Sequence, residues 1–210
     1  MPRNPDINET IARGLAFLAE RQKADGSFVS YSSASVQPFR RRRTWQTVFV
    51  PALMLSALAQ VNDTSALPIR NKLAEFLLDE KGPEGAFNYW AKNAPEHKTM
   101  PYPNDLDDTF CALAGLYLHD TALVDEKMLA QAVALLLAAE TAVGGPYRTW
   151  LVPTDSEPVW LDVDLAVNSN VAYFLSLIGN RLPKLDGMME QAITTNTYTS
   201  PCYPSEYAYM

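Results

Sequence analysis

The chain has 210 residues, 48% of them hydrophobic and 20% charged, a balance that fits a folded protein and argues against a disordered one. Its net charge of -7 and pI of about 4.8 argue against nucleic-acid binding driven by electrostatics. No apolar run reaches membrane-spanning length; the longest, Ala130–Ala139, contains Gln131 and stops at Glu140.

Met1–Thr10 is polar and lacks an apolar signal core, so a cytoplasmic protein is expected, with peripheral membrane contact left open. Ile11, Leu15, Leu18 and Ala19 then fall on one helical stripe, with Arg13, Glu20 and Arg21 off it. Gln22, Gly26 and Phe28 follow in a loop. The run Arg40, Arg41, Arg42 and Arg43 comes next, most simply a solvated loop but also a candidate anion grip, because guanidinium forks match phosphate oxygens. Gln46-Thr47 opens an apolar segment, Val48–Ala59.

The pattern recurs. Phe76-Leu77 stands 59 residues beyond Phe17-Leu18 and is followed by Lys81, Gly85 and Phe87. A second step of 59 reaches Leu135-Leu136, Glu140 and Gly144, and one extra residue then places Tyr147 and Trp150 opposite Phe87 and Trp90. Asp108-Thr109 and Asn168-Ser169 are expected to open the second and third apolar helices, Phe110–Leu118 and Val171–Ile178, as Gln46-Thr47 opens the first. Each repeat is read as an amphipathic helix, a Gly-aromatic loop and a more apolar, buried helix.

The expected fold is therefore all-α: tandem α-hairpin repeats forming a partial α/α toroid of about three and a half hairpins, with an open α-solenoid as the alternative. One domain, 1–210, is expected, with repeats at about 10–60, 69–119 and 127–179 and a partial fourth at 184–210. The last repeat lacks room for its inner helix, so a fragment of a longer protein, a homo-oligomer or a missing partner chain is anticipated.

The first repeat, Arg13-Gly14-Leu15-Ala16-Phe17-Leu18 with Gln22, Gly26 and Phe28, resembles the QW motif of squalene cyclases. Asp105-Leu106-Asp107-Asp108-Thr109 matches the D-x-D-D-T motif of class II terpene cyclases residue for residue. The resemblance implies protonation-initiated cyclisation of a linear, hydrophobic isoprenoid, with Asp107 as general acid and Asp105 and Asp108 beside it. It also implies a glutamine at Gln22 tying hairpins together. Crowded carboxylates cannot all ionise, so one keeps a proton, and Asp105 or Asp108 is expected to accept a hydrogen bond from Asp107. Trp45, Trp90, Tyr102, Trp150 and Trp160, together with Tyr89, are candidates for aromatic walls that stabilise a cation through their π faces. No cofactor is expected; Mg would enter only with a diphosphate-bearing substrate.

Against this stands capping: aspartates in a first helical turn complement the helix dipole, which lowers their pKa, so the acid needs a dry site. Asp162-Val163-Asp164 reads as loop charge. His97, His119, Cys111 and Cys202 show no metal-ligand spacing, and the Asp, Cys and His zinc set of the prenyltransferase ring is not found. A catalytically silent repeat domain that binds a hydrophobic ligand or a protein, or a half ring that needs another chain, remains the alternative function.

Overall fold

The computed structural model describes residues 6–32, 42–197, 200 and 202–203. The order is α1 (Ile7–Arg21), a small antiparallel ribbon of β1 (Ser30–Ser32) and β2 (Arg43–Trp45), α2 (Phe49–Ala59), α3 (Leu67–Glu80), a short α4 (Glu96–Thr99), α5 (Leu106–His119), α6 (Glu126–Ala139), α7 (Leu165–Leu177) and α8 (Pro183–Thr195). The chain is all-α apart from the ribbon, in which Ser30 faces Trp45 and Ser32 faces Arg43.

Composition decides which helices go inside. α2, α5 and α7 are apolar on most faces, and they pack side by side with α5 between the other two. α5 is buried at nearly every position from Leu106 to Leu116. Gly115 permits the close approach: a Cβ there would lie 2.9 Å from the carbonyl oxygen of Ala52 on α2. Phe110 and Phe174 meet edge to face at 5.5 Å, and each such ring, fully removed from water, contributes about 1.5–3 kcal/mol. The amphipathic helices α1, α3, α6 and α8 form the outer layer. α3 buries Ile69, Leu73, Ala74, Phe76 and Leu77, whereas α1 buries only Leu15.

Each Gly-bearing loop leans on the outer helix that follows it. Gly26, at φ +87°, is so close to α3 that a Cβ would sit 2.1 Å from the Lys72 carbonyl oxygen. Gln22 donates from Nε2 to the carbonyls of Gly26 and Ile69, both at 3.0 Å, which fastens hairpin one to α3. Gly85 abuts Gln131 on α6 in the same way. In the third repeat the role passes to Gly145, which faces Leu185 on α8, and not to Gly144, around which a Cβ would meet nothing within 4 Å. The extra residue of that loop thus precedes the packing glycine.

The inner helices also start earlier than expected. Asp105 caps α5, accepting from the Asp108 amide at 2.7 Å, and Asp164 caps α7 through the amides of Ala166 and Val167. Asp108-Thr109 and Asn168-Ser169 therefore sit one turn inside their helices. α2, by contrast, has no side-chain cap. A slip of three or four residues, about one turn, keeps the same helical face, which is why the periodicity concealed it. Among the described residues no helix is long and apolar enough to cross a membrane.

Candidate functional site

The loops that seat the helices also build the site. Phe87 and Trp150 both bridge to Asp105, and Thr47 bridges to Trp90, so the approaches to α2 and α5 are pinned to the aromatic loop of the next repeat, and Asp105 to the loop of its own repeat as well. Thr109 fixes the register: its Oγ1 accepts from the Phe87 amide at 3.0 Å and donates to the Asp105 carbonyl. Asn168 does the same one repeat later, accepting from the Tyr147 amide and donating to the Tyr147 carbonyl, each at 2.9 Å. These contacts hold the start of α5 against the floor of a cavity of about 890 Å³.

The walls of that cavity are aromatic. Tyr102 stacks on Trp90 at 5.7 Å and lies 5.8 Å from Trp150 and 6.3 Å from Trp160; Trp150 and Trp160 meet edge to face at 5.0 Å, and Trp45 sits 5.5 Å from Trp90. Tyr89 completes the group, 4.7 Å from Trp90. The structure thus brings all six candidate aromatics together around one chamber. Trp90 is anchored by its indole nitrogen, which donates to the Met100 carbonyl at 2.8 Å.

Asp105 and Asp108 are 2% and 3% exposed, so little water remains to solvate a charge on either. Burial pushes both carboxyls up, Asp105 to about 7 and Asp108 well above the usual range, each raised further by its acidic neighbours. Asp105 Oδ1 accepts from the Asp108 amide, while Asp105 Oδ2 and Asp108 Oδ1 are buried with no hydrogen-bond partner among the described residues, so two acidic groups crowd one dry place and a charge on both is disfavoured. Asp107 is partly exposed to the chamber, and burial raises it too, against the lowering effect of its hydrogen bonds. Desolvation therefore outweighs the helix dipole at all three positions.

The partners of Asp107 differ from those expected. Neither Asp105 nor Asp108 accepts a hydrogen bond from it. Instead Asn170 Nδ2, on α7, donates to Asp107 Oδ1 at 2.7 Å, and the Tyr203 hydroxyl donates to Oδ2 at 2.6 Å. Asp105 caps the helix, and Asp107, held by these two donors, is partly exposed to the chamber. Sequence reasoning missed both donors. A polar residue inside the apolar α7 was a usable signal for Asn170; Tyr203 carried none, because its contact spans the chain from the far terminus.

Asp164 is likewise no mere loop charge. It is 1% exposed, caps α7, and accepts from the Ser200 hydroxyl at 2.5 Å, which ties the C-terminal segment to the site. Among the described residues one set of side chains could hold a metal ion: Asp162, Asp164 and Cys202, whose ligand atoms lie within 4.8 Å of one another. Burial and the nearby carboxylates push the Cys202 thiol up to about 12, so it keeps its proton and is a poor ligand without a metal to displace it. The arginine run is dispersed. Arg40 and Arg41 lie outside the described residues, Arg42 stacks over Tyr31 at 5.1 Å, and Arg43 is exposed on β2; neither Arg42 nor Arg43 lines the chamber.

No protein-family model matches the chain, and no curated protein matches it either. Solved structures do. A protein from Actinoplanes aligns with a TM-score of 0.60 at 21% identity over 87% of this chain and 50% of its own. The type II terpene cyclase MstE from Scytonema aligns with a TM-score of 0.59 at 20% identity over 86% of this chain and 49% of its own. The fold is terpene-cyclase-like. An aspartate-to-asparagine variant of MstE, in complex with its substrate geranylgeranyl dihydroxybenzoate, gives a TM-score of 0.57 at 16% identity. The chain spans about half the length of each of these structures.

Proposed function

We propose that this chain carries the acid half of a protonation-initiated terpene cyclase, with Asp107 as the general acid. The observation behind this reading is the contrast within one motif: all three carboxyls are raised and line the aromatic chamber, but Asp105 and Asp108 are buried, while Asp107 is partly exposed to it. In the reaction, the π electrons of a terminal alkene form a new C–H bond to the Asp107 proton. This leaves the Asp107 carboxylate and a tertiary cation, which successive alkenes trap as rings close. Loss of a proton from the final cation to water restores a double bond, and the Asp107 carboxylate regains its proton from solvent once the product leaves. Asn170 and Tyr203 stabilise the carboxylate as it forms, which strengthens the acid without charging it in advance. The Trp90, Tyr102 and Trp150 faces hold the travelling cation.

The likeness to MstE supports a substrate built on an isoprenoid chain, of which geranylgeranyl dihydroxybenzoate is the example bound by that protein. Incubation with geranylgeranyl-bearing aromatics, prenyl diphosphates, squalene and epoxysqualene, read by mass spectrometry, should yield cyclised products that vanish in Asp107→Asn. A second reading is a silent lipid-binding domain, favoured by the two donors on Asp107, which also suit a resting carboxylate. Co-purifying isoprenoids with no turnover by any form of the protein would support it.

A further inference from the structure

We infer that Asn88 is the positioning residue of the aromatic wall: it holds Tyr102 over the chamber, and through Tyr102 it sets how far a cation travels before water ends the reaction. The effect on the cation rests on the cyclase reading above; the tether itself does not.

Tyr102 joins the two halves of the wall. Its ring lies 6.0 Å from Tyr89, 5.7 Å from Trp90, 5.8 Å from Trp150 and 6.3 Å from Trp160. Among the described residues no other ring links the cluster of Trp45, Tyr89 and Trp90 to the pair of Trp150 and Trp160. Displacing Tyr102 therefore divides a continuous π surface into two.

The backbone around Tyr102 does little to hold it. Pro101 and Pro103 flank it, and neither has an N–H to donate. The segment is pinned at its ends, where the Met100 carbonyl accepts from the Trp90 indole at 2.8 Å and the Asn104 carbonyl accepts from the Leu151 amide at 2.9 Å. Between those points, among the described residues, the Tyr102 backbone has a single hydrogen bond. Asn88 makes it: Nδ2 donates to the Tyr102 carbonyl at 2.8 Å and to Asn104 Oδ1 at 3.1 Å. Asn88 Oδ1 meanwhile accepts from the Trp90 amide at 3.0 Å. One carboxamide, a donor at one end and an acceptor at the other, thus fastens both members of the stacked Trp90–Tyr102 pair.

The repeats separate this role from the demands of the fold. One repeat earlier the position is Val29; one repeat later, after the extra residue, it is Arg148, which turns to the Ala138 carbonyl near the end of α6 at 2.7 Å. Valine has no polar group and arginine no acceptor, so neither can bridge as Asn88 does. The loop forms without the amide, which answers to Tyr102 and not to the repeat. For the chemistry, a cation formed by one ring closure needs the next π face within reach. Where that face is displaced, water competes. Its oxygen forms a C–O bond to the cation and one of its protons leaves to solvent, which gives an alcohol with fewer rings.

The test compares Asn88→Asp, Tyr102→Leu and the double variant in the full chain. Asn88→Asp keeps the acceptor for the Trp90 amide and removes the two donors. Near-ultraviolet circular dichroism of the Tyr–Trp cluster reads the wall without turnover. Asn88→Asp should lose a large part of the signal that Tyr102→Leu loses, and the double variant should lose no more than Tyr102→Leu alone, because one residue acts through the other. With squalene and a geranylgeranyl-bearing aromatic as probes, mass spectrometry should show the ratio of partly cyclised alcohol to fully cyclised product rising about 2- to 30-fold in each single variant, the factor that one ring face represents, and no further in the double variant. A spectrum of Asn88→Asp identical to wild type, or single losses that add in the double variant, overturns the proposal. A wild type that turns neither probe over sinks the cyclase reading and with it the effect on products, while the spectra still decide whether Asn88 holds Tyr102.

Discussion

Asn170 on α7 donates to Asp107 on α5 at 2.7 Å, across 63 residues of chain. The bond crosses the interface between two neighbouring inner helices, so the orientation of the acid depends on the packing of the repeat that follows it. If Asp107 is the proton donor, Asn170→Ala removes a charge-assisted hydrogen bond from the developing carboxylate. Such a bond contributes about 1.5–3 kcal/mol, so product formation should fall roughly 10–100-fold. Single-turnover mass spectrometry measures this, and an unchanged rate with Asp107→Asn inactive would remove Asn170 from the mechanism.

The acidic cluster also sets a pH dependence of stability. Asp105, Asp107 and Asp108 are all raised by burial, from an ordinary 3.8 to about 7 for Asp105. A raised carboxyl binds its proton more tightly in the folded state, so its stabilising effect is complete below the unfolded pKa and is lost as pH rises through the folded one. Urea midpoints should fall between about pH 4 and pH 7. Asp108→Asn should flatten that slope, since it removes the most strongly raised group. A slope identical in wild type and variant would contradict a raised Asp108 carboxyl.

The glycines separate conformation from packing. Gly26 and Gly144 both have positive φ, but only Gly26 is pressed against a neighbouring backbone. Gly144→Ala should cost about 1–2 kcal/mol for the left-handed conformation alone. Gly26→Ala should cost about 3 kcal/mol or more, because the Lys72 carbonyl must move as well. Chemical denaturation of the two variants side by side checks the difference, and equal losses would rule out the close-approach argument.

Two polar clamps hold the aromatic loops, and they are of unequal strength. Asn168 engages both the amide and the carbonyl of Tyr147 and also reaches the Asp164 carbonyl. Thr109 gives the Phe87 amide a single acceptor. Each leaves a buried amide unpaired when removed, at about 1–3 kcal/mol, but Asn168→Ala strips two carbonyls of their donor where Thr109→Val strips one. Asn168→Ala should therefore destabilise more than Thr109→Val in thermal melts. The reverse order would mean that the loop is held chiefly by its aromatic packing.

Some of this arrangement was open to inspection in the residues themselves. A helix apolar on most faces must be covered, so the inner position of α5 follows from Phe110–Leu118 without coordinates. The recurrence of Gly26 and Gly85 marks the loops, because the tight turn there accepts little else. The slip from Gly145 to Gly144 was not visible, since either glycine satisfies the spacing and only Leu185 across the interface distinguishes them. The same holds for Asp105, one turn ahead of the residue expected to cap α5: residues three or four apart share a face, and only the direction of the backbone amides decides which one caps.

Pattern along the chain, then, was sufficient for the helical repeats, for their inner and outer layers and for the cluster of three aspartates, because burial and periodicity act locally. What required the tertiary structure was the assignment of partners: Asp107 with Asn170 and Tyr203, and six aromatic rings around one chamber. A carboxyl group's proton affinity depends on the water and the donors within a few ångströms of it, and residues far apart in sequence supply those only once the helices have packed.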